Sequence, residues 1–70
     1  MKKIIYNRIK SVLAENGKSI NELAIFLKLK DTTISNWCEN KSQPSLQNLD
    51  KIAFFLQIDI RELLVQTKWD

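Results

Sequence analysis

Apolar residues in this chain recur at three- and four-residue intervals, and no such stripe runs beyond about three turns before polar punctuation interrupts it. That spacing specifies several short amphipathic helices, none long enough to be stable in isolation. With 70 residues in all, the stripes must bury one another, because a chain of this size is near the lower limit for one unassisted hydrophobic core. The expectation is one all-α domain over residues 1–70, with a core from about 4 to 65 and a short tail, 66–70.

Ile5, Ile9, Val12 and Leu13 form the first stripe, closed by Gly17, a residue suited to a left-handed helix end. "SINE" then reads as a capping box, with Ser19 capping the next helix and Glu22 reaching back, and Ile20, Leu23, Ala24 and Leu27 as its buried face. "LKLKD" breaks the register ahead of a third stripe, Ile34, Trp37 and Cys38. In "ENKSQPS", Asn40 suits a left-handed cap and Pro44 forbids a continuing helix. Ser45 opens a fourth helix buried through Leu46, Leu49, Ile52, Ala53 and Leu56. A box from Asp59 to Glu62 opens a fifth, buried through Ile60, Leu63 and Leu64. "VQTKWD" carries no readable pattern.

The single cysteine, Cys38, allows no internal disulfide and fits a reducing compartment, and no apolar run is long enough to span a membrane. A soluble cytoplasmic protein is expected. Histidine is absent, the one cysteine sits on a buried stripe, there is no glycine-rich phosphate loop, and no close carboxylate pair has an evident pocket. An enzyme is the least favoured class, and no cofactor or small-molecule ligand is expected. The net charge of +3 is unevenly spread: residues 1–30 carry seven Lys/Arg against two acids, and residues 31–70 four against six. A basic front half suits an anionic partner such as nucleic acid, and a solvated basic face would look the same.

The third stripe has an unusual outer face. With Ile34, Trp37 and Cys38 inward, Asp31, Thr32, Ser35, Asn36 and Glu39 point outward, and the first four crowd its N-terminal half. Short polar residues are poorer helix formers than the Lys, Glu or Arg expected on a merely solvated face. They allow close approach to another surface: Asn can pair with adenine through two hydrogen bonds, and the Thr methyl packs on that of thymine. A plain solvated helix with capping-type residues is the other reading of this element alone.

Taken in order, "ELA" behind Ser19, "TIS" with Trp37 one residue further on, "KSQPSL", "KIA" and "ELL" resemble the Cro and phage-repressor-like (Xre) helix-turn-helix family over about residues 7–65. The resemblance implies a compact five-helix bundle of the lambda-repressor-like type, with helices 2 and 3 as the helix-turn-helix. It further implies binding to double-stranded DNA by a small transcriptional regulator whose helix from about Asp31 to Glu39 enters the major groove. Asp31, Thr32, Ser35 and Asn36 then fall at base-reading positions, and Ser19, Lys30, Asn40, Lys41, Ser42 and Gln43 where the family holds phosphates.

The chain departs from the family's pattern in four respects. Lys28 and Asn40 stand where glycines are common, and Lys28 in a left-handed conformation is expected to strain the turn into a different local geometry. Ile20 replaces a Gln that often touches DNA. Leu13 and Cys38 stand where many relatives carry a buried Arg–Glu pair; both being apolar, they are expected to touch in the core.

Ile25, Phe26 and Phe54 fit no buried stripe, and neither does Trp69. They either wrap a thin core or form a patch that buries on association. Relatives often dimerise through helices 4 and 5, which implies a homodimer, at least on DNA, through Phe54, Ile58, Ile60 and Trp69. The alternative function is a protein-interaction module on the same fold, an antitoxin-like or adaptor subunit using the exposed apolar surface.

Overall fold

In the computed structural model, which describes residues 4–69, the helices are α1 (Ile9–Glu15), α2 (Ile20–Leu27), α3 (Asp31–Cys38) and α4 (Leu46–Leu56), followed by a 3-10 helix, Ile60–Leu63. Lys2, Lys3 and Asp70, which enter the charge count, lie outside the described residues. Among the described residues there is no β-strand, only an isolated antiparallel bridge between Asn7 and Leu64.

The expected fifth α-helix is therefore a single 3-10 turn. Its cap forms as the sequence suggests: Asp59 Oδ1 accepts from Arg61 N–H at 2.8 Å, and Glu62 Oε2 accepts from Asp59 N–H at 3.1 Å. The chain then leaves the helix because it pairs with the N-terminal segment. Arg8 N–H donates to Leu63 C=O, and Val65 N–H to Tyr6 C=O, both at 2.9 Å. Leu64 is extended between these rungs (φ −110°, ψ 151°).

The same pairing explains why α1 starts at Ile9. Residues 4–7 are drawn out toward the C-terminal segment, so Ile5, expected on the helix stripe, is exposed. Leu46, expected on the buried stripe of α4, is 73% exposed, and Leu64 faces out as well.

All four α-helices end with one device. Gly17, Lys28, Asn40 and Gln57 have φ of 65°, 59°, 58° and 57°. The amide that follows each reaches back to a carbonyl of the last turn: Lys18 to Leu13, Leu29 to Ala24, Lys41 to Asn36 and Ile58 to Ala53, at 2.9, 3.0, 2.9 and 3.0 Å. These are Schellman caps. The expectation that Lys28 would divert the turn is corrected here: it takes the left-handed conformation (ψ 42°) that a glycine would, with its side chain in solvent. The backbone strain is accepted because the two cap hydrogen bonds satisfy otherwise orphaned carbonyls.

The core draws on every element. The five largest fully buried side chains are Ile9, Leu23, Ile34, Ile52 and Leu63, one from each helix and one from the 3-10 turn. Val12, Leu13, Trp37, Cys38, Leu49 and Leu56 complete the cluster, with Ile20, Leu27, Phe55, Ile58 and Ile60 packed at its margin. Leu13 and Cys38 are thus both members of one buried cluster, and burial pushes the Cys38 thiol pKa up.

Candidate nucleic-acid interface

The helix pair α2–α3 is set by three local devices. At its start Ser19 Oγ accepts from Glu22 N–H at 3.1 Å and Glu22 Oε1 accepts from Ser19 N–H at 3.3 Å, the reciprocal box read from the sequence. At the turn, the Lys28 cap redirects the chain, and Lys30 enters α3 in extended conformation. Across the turn, Asn21 Nδ2 lies 3.3 and 3.4 Å from the two carboxylate oxygens of Asp31. Asn21, which the sequence reading passed over, thereby joins the first turn of α2 to the first turn of α3.

Ile34, Trp37 and Cys38 hold α3 to the core, so its opposite face is outward. Asp31, Thr32 and Asn36 are exposed and Ser35 is half-buried. Thr32 and Asn36 are one turn apart on this face and donate no side-chain hydrogen bond among the described residues, whereas Ser35 Oγ donates to Glu39 Oε2 at 3.3 Å. Glu39 also holds Lys41, with Nζ 3.6 Å from its Oε1. Ile20, the first residue of α2, is packed against the core, and no polar anchor projects from that position.

The residues expected at phosphates divide into two groups. Lys30, Lys41 and Ser42 are exposed beside α3. The side-chain polar atoms of Asn40, half-buried, and of Gln43, exposed, are engaged in hydrogen bonds within the protein. Asn40 Oδ1 accepts from Tyr6 N–H (2.9 Å), Asn7 N–H (3.0 Å) and Gln43 Nε2 (3.1 Å), and Asn40 Nδ2 donates to Asn7 C=O (3.1 Å). The side chain of Ser19, likewise, is committed to its capping box, leaving the backbone of that helix start to meet an anion.

Asn7 is the residue that sequence reasoning missed altogether. It is 3% exposed, the one buried polar residue of the described part of the chain. Its Nδ2 donates to Trp37 C=O (3.0 Å) and Gln43 Oε1 (2.7 Å), and its Oδ1 accepts from Ile9 N–H (3.1 Å). An asparagine just before a helix suggests only a local cap; partners 30 and 36 residues away leave no local signal.

The residues expected on an association surface lie in different settings. Phe54 is 67% exposed and stacks on Phe26, ring centroids 6.2 Å apart, beside Ile25, itself 68% exposed. Ile58 and Ile60 are packed against the core instead. Trp69, 89% exposed, lines a separate open groove of about 580 Å³ with Ile4, Ile5, Tyr6 and Val65.

A helix pair joined by a tight left-handed turn, its second helix turning short polar side chains outward, is a helix-turn-helix. The chain belongs to the Cro/C1-type HTH DNA-binding domain family, whose model matches residues 8–68. It is similar in structure to a candidate DNA-binding protein from Bacteroides fragilis at 47% identity, TM-score 0.86, covering 89% of this chain and all of that one. A transcriptional regulator from Listeria innocua shares the fold at 21% identity, TM-score 0.73, covering 96% of this chain and 67% of that one. No match is found among curated proteins.

Proposed function

We propose that this DNA-binding domain is a sequence-specific, Cro- or repressor-like transcriptional regulator that reads the major groove with α3. Thr32 and Asn36 are its principal base readers, with Asp31 and Ser35 flanking them. Lys30, Lys41 and Ser42, together with the free amides behind Ser19, meet phosphates on either side. These contacts fix the docking register, and the α3 side chains supply sequence preference. Two copies on DNA would place their α3 helices about 34 Å apart, on half-sites one duplex turn apart.

The observation that carries this reading is the pairing of two exposed, short, hydrogen-bonding side chains, Thr32 and Asn36, with an inner face of α3 that is wholly apolar and buried. Long side chains at those two positions would hold the helix off the base edges. An amide-resolved NMR titration with a mixed-sequence duplex tests it. Shifts concentrated on residues 28–43 support it, and a silent α3 face under conditions where the duplex binds elsewhere defeats it.

The exposed Phe26–Phe54 stack favours one other reading, a protein-interaction module on the same domain. In that case Phe54→Ser abolishes function while Asn36→Ala leaves it intact.

A further inference from the structure

We infer that Asn7, outside the helix-turn-helix altogether, is the positioning residue for the phosphate-contacting loop that follows α3. This rests on the DNA-binding reading above and adds to it the part that sets the loop's geometry.

The loop from Asn40 to Gln43 carries Lys41 and Ser42, the exposed groups that follow α3. At its near end it is held by the helix: Lys41 N–H donates to Asn36 C=O at 2.9 Å and Asn40 N–H to Trp37 C=O at 3.0 Å. Ser42 N–H reaches the same Asn36 C=O at 3.4 Å, whereas Gln43 makes no backbone hydrogen bond to α3 among the described residues. Gln43 is instead held by Asn7 Nδ2 at 2.7 Å, and the same amide group reaches Trp37 C=O at 3.0 Å. One buried side chain therefore links the last turn of α3 to the far end of the loop. Asn40 closes the arrangement by bonding both backbone groups of Asn7. Every donor in the cluster has an acceptor, and no described buried side-chain polar atom lacks a partner.

Such a network favours one geometry because moving Gln43 or Trp37 away leaves the buried Asn7 amide short of a partner. Lys41 lies one residue from Asn40 and two from Gln43, too close to either for its backbone to move independently. Asn7 is itself anchored by the rungs that tie Tyr6 and Arg8 to Val65 and Leu63. The loop is thus positioned from the chain termini as well as from α3, while Thr32 and Asn36 are positioned by the core. Loss of Asn7 is expected to weaken binding to all sequences alike.

A double-mutant cycle between Asn7→Ala and Lys41→Ala tests this, with binding measured on a labelled random-sequence duplex pool of about 30 base pairs at several salt concentrations. Circular dichroism establishes that each variant is folded at the temperature used. Each single change is expected to weaken binding about tenfold and to lower the salt slope by about one. With Asn7→Ala already present, Lys41→Ala should add less than about a twofold effect. A merely structural Asn7 would leave the Lys41 effect and the salt slope intact. Gln43→Ala, at an exposed position, replaces Asn7→Ala in the cycle should that variant not fold. An additive cycle, or a Lys41→Ala variant that binds as the unmodified chain does, overturns the inference alone. An unmodified chain that binds no duplex overturns the DNA reading and this inference with it.

Discussion

The side-chain amide of Asn40 brackets the backbone of Asn7, accepting from its N–H at 3.0 Å and donating to its C=O at 3.1 Å. Asn40 has a second role in the same place, as the left-handed residue that ends α3. The two roles respond oppositely to glycine. Lys28→Gly relieves left-handed strain without removing any observed side-chain hydrogen bond, and is expected to stabilise the fold by about 0.5–1 kcal/mol. Asn40→Gly relieves the same strain but strands the Asn7 backbone, and is expected to destabilise by about 1–2 kcal/mol. Urea midpoints at constant m-value measure both. An Asn40→Gly variant as stable as Lys28→Gly would show that the bracket contributes nothing.

Leu13 and Cys38 occupy one buried cluster on neighbouring helices. Leu13→Arg alone buries a charge without a partner, at an expected cost of about 3–5 kcal/mol, enough to unfold a domain of this size. Adding Cys38→Glu supplies the partner, and the double variant should regain at least about 1 kcal/mol over the sum of the single changes. Thermal melts of all four forms decide it. Strict additivity would mean that the two positions do not meet.

The Cys38 thiol should be slow to react. Burial raises its pKa, with Glu39 adding to the rise and Lys10 opposing it, so the reactive thiolate is scarce as well as shielded. Alkylation by iodoacetamide at neutral pH is expected to be at least tenfold slower than in denaturant, about the protection that partial local opening allows. Reaction at the unfolded rate would show Cys38 to be accessible.

The helix pattern was open to sequence reading because it depends on local chemistry. Ser19, Ser45 and Asp59 cap the elements that their spacing announces, and Ile34, Trp37 and Cys38 turn inward as their periodicity requires. What the sequence concealed was contact between distant segments. Ile5 keeps helical spacing with Ile9, yet pairing of residues 6–8 with 63–65 pulls it off the helix. The same rungs cut the last helix to a 3-10 turn. The resemblance puts Asn40 and Gln43 at phosphates, and their hydrogen bonds to Asn7, more than thirty residues earlier, are ones that no local pattern announces. The outward face of α3 was legible for the opposite reason, since burying one stripe of a helix determines where the others point.

Acid should loosen the C-terminal turn through Asp59. The Arg61 guanidinium and backbone N–H both bond its carboxylate and lower its pKa below the ordinary Asp value. A group whose folded pKa is depressed contributes stability above its unfolded pKa of about 3.9, and that contribution fades as pH falls through the lower folded value. An NMR titration of the Asp59 carboxyl should give a midpoint below about 3.9, moving upward in Arg61→Ala. A midpoint unchanged by that substitution would remove Arg61 as the cause.

The central claim, that α3 reads base edges, is tested most directly by selecting bound duplexes from a random DNA pool at about 0.15 M salt, where nonspecific attraction is partly screened. The account predicts enrichment of a defined motif, arranged as an inverted repeat if two copies bind, with the preference blurred at specific positions by Asn36→Ala and Thr32→Ala. Binding by the folded protein with no sequence enriched, or an enriched motif that both substitutions leave unchanged, would contradict it.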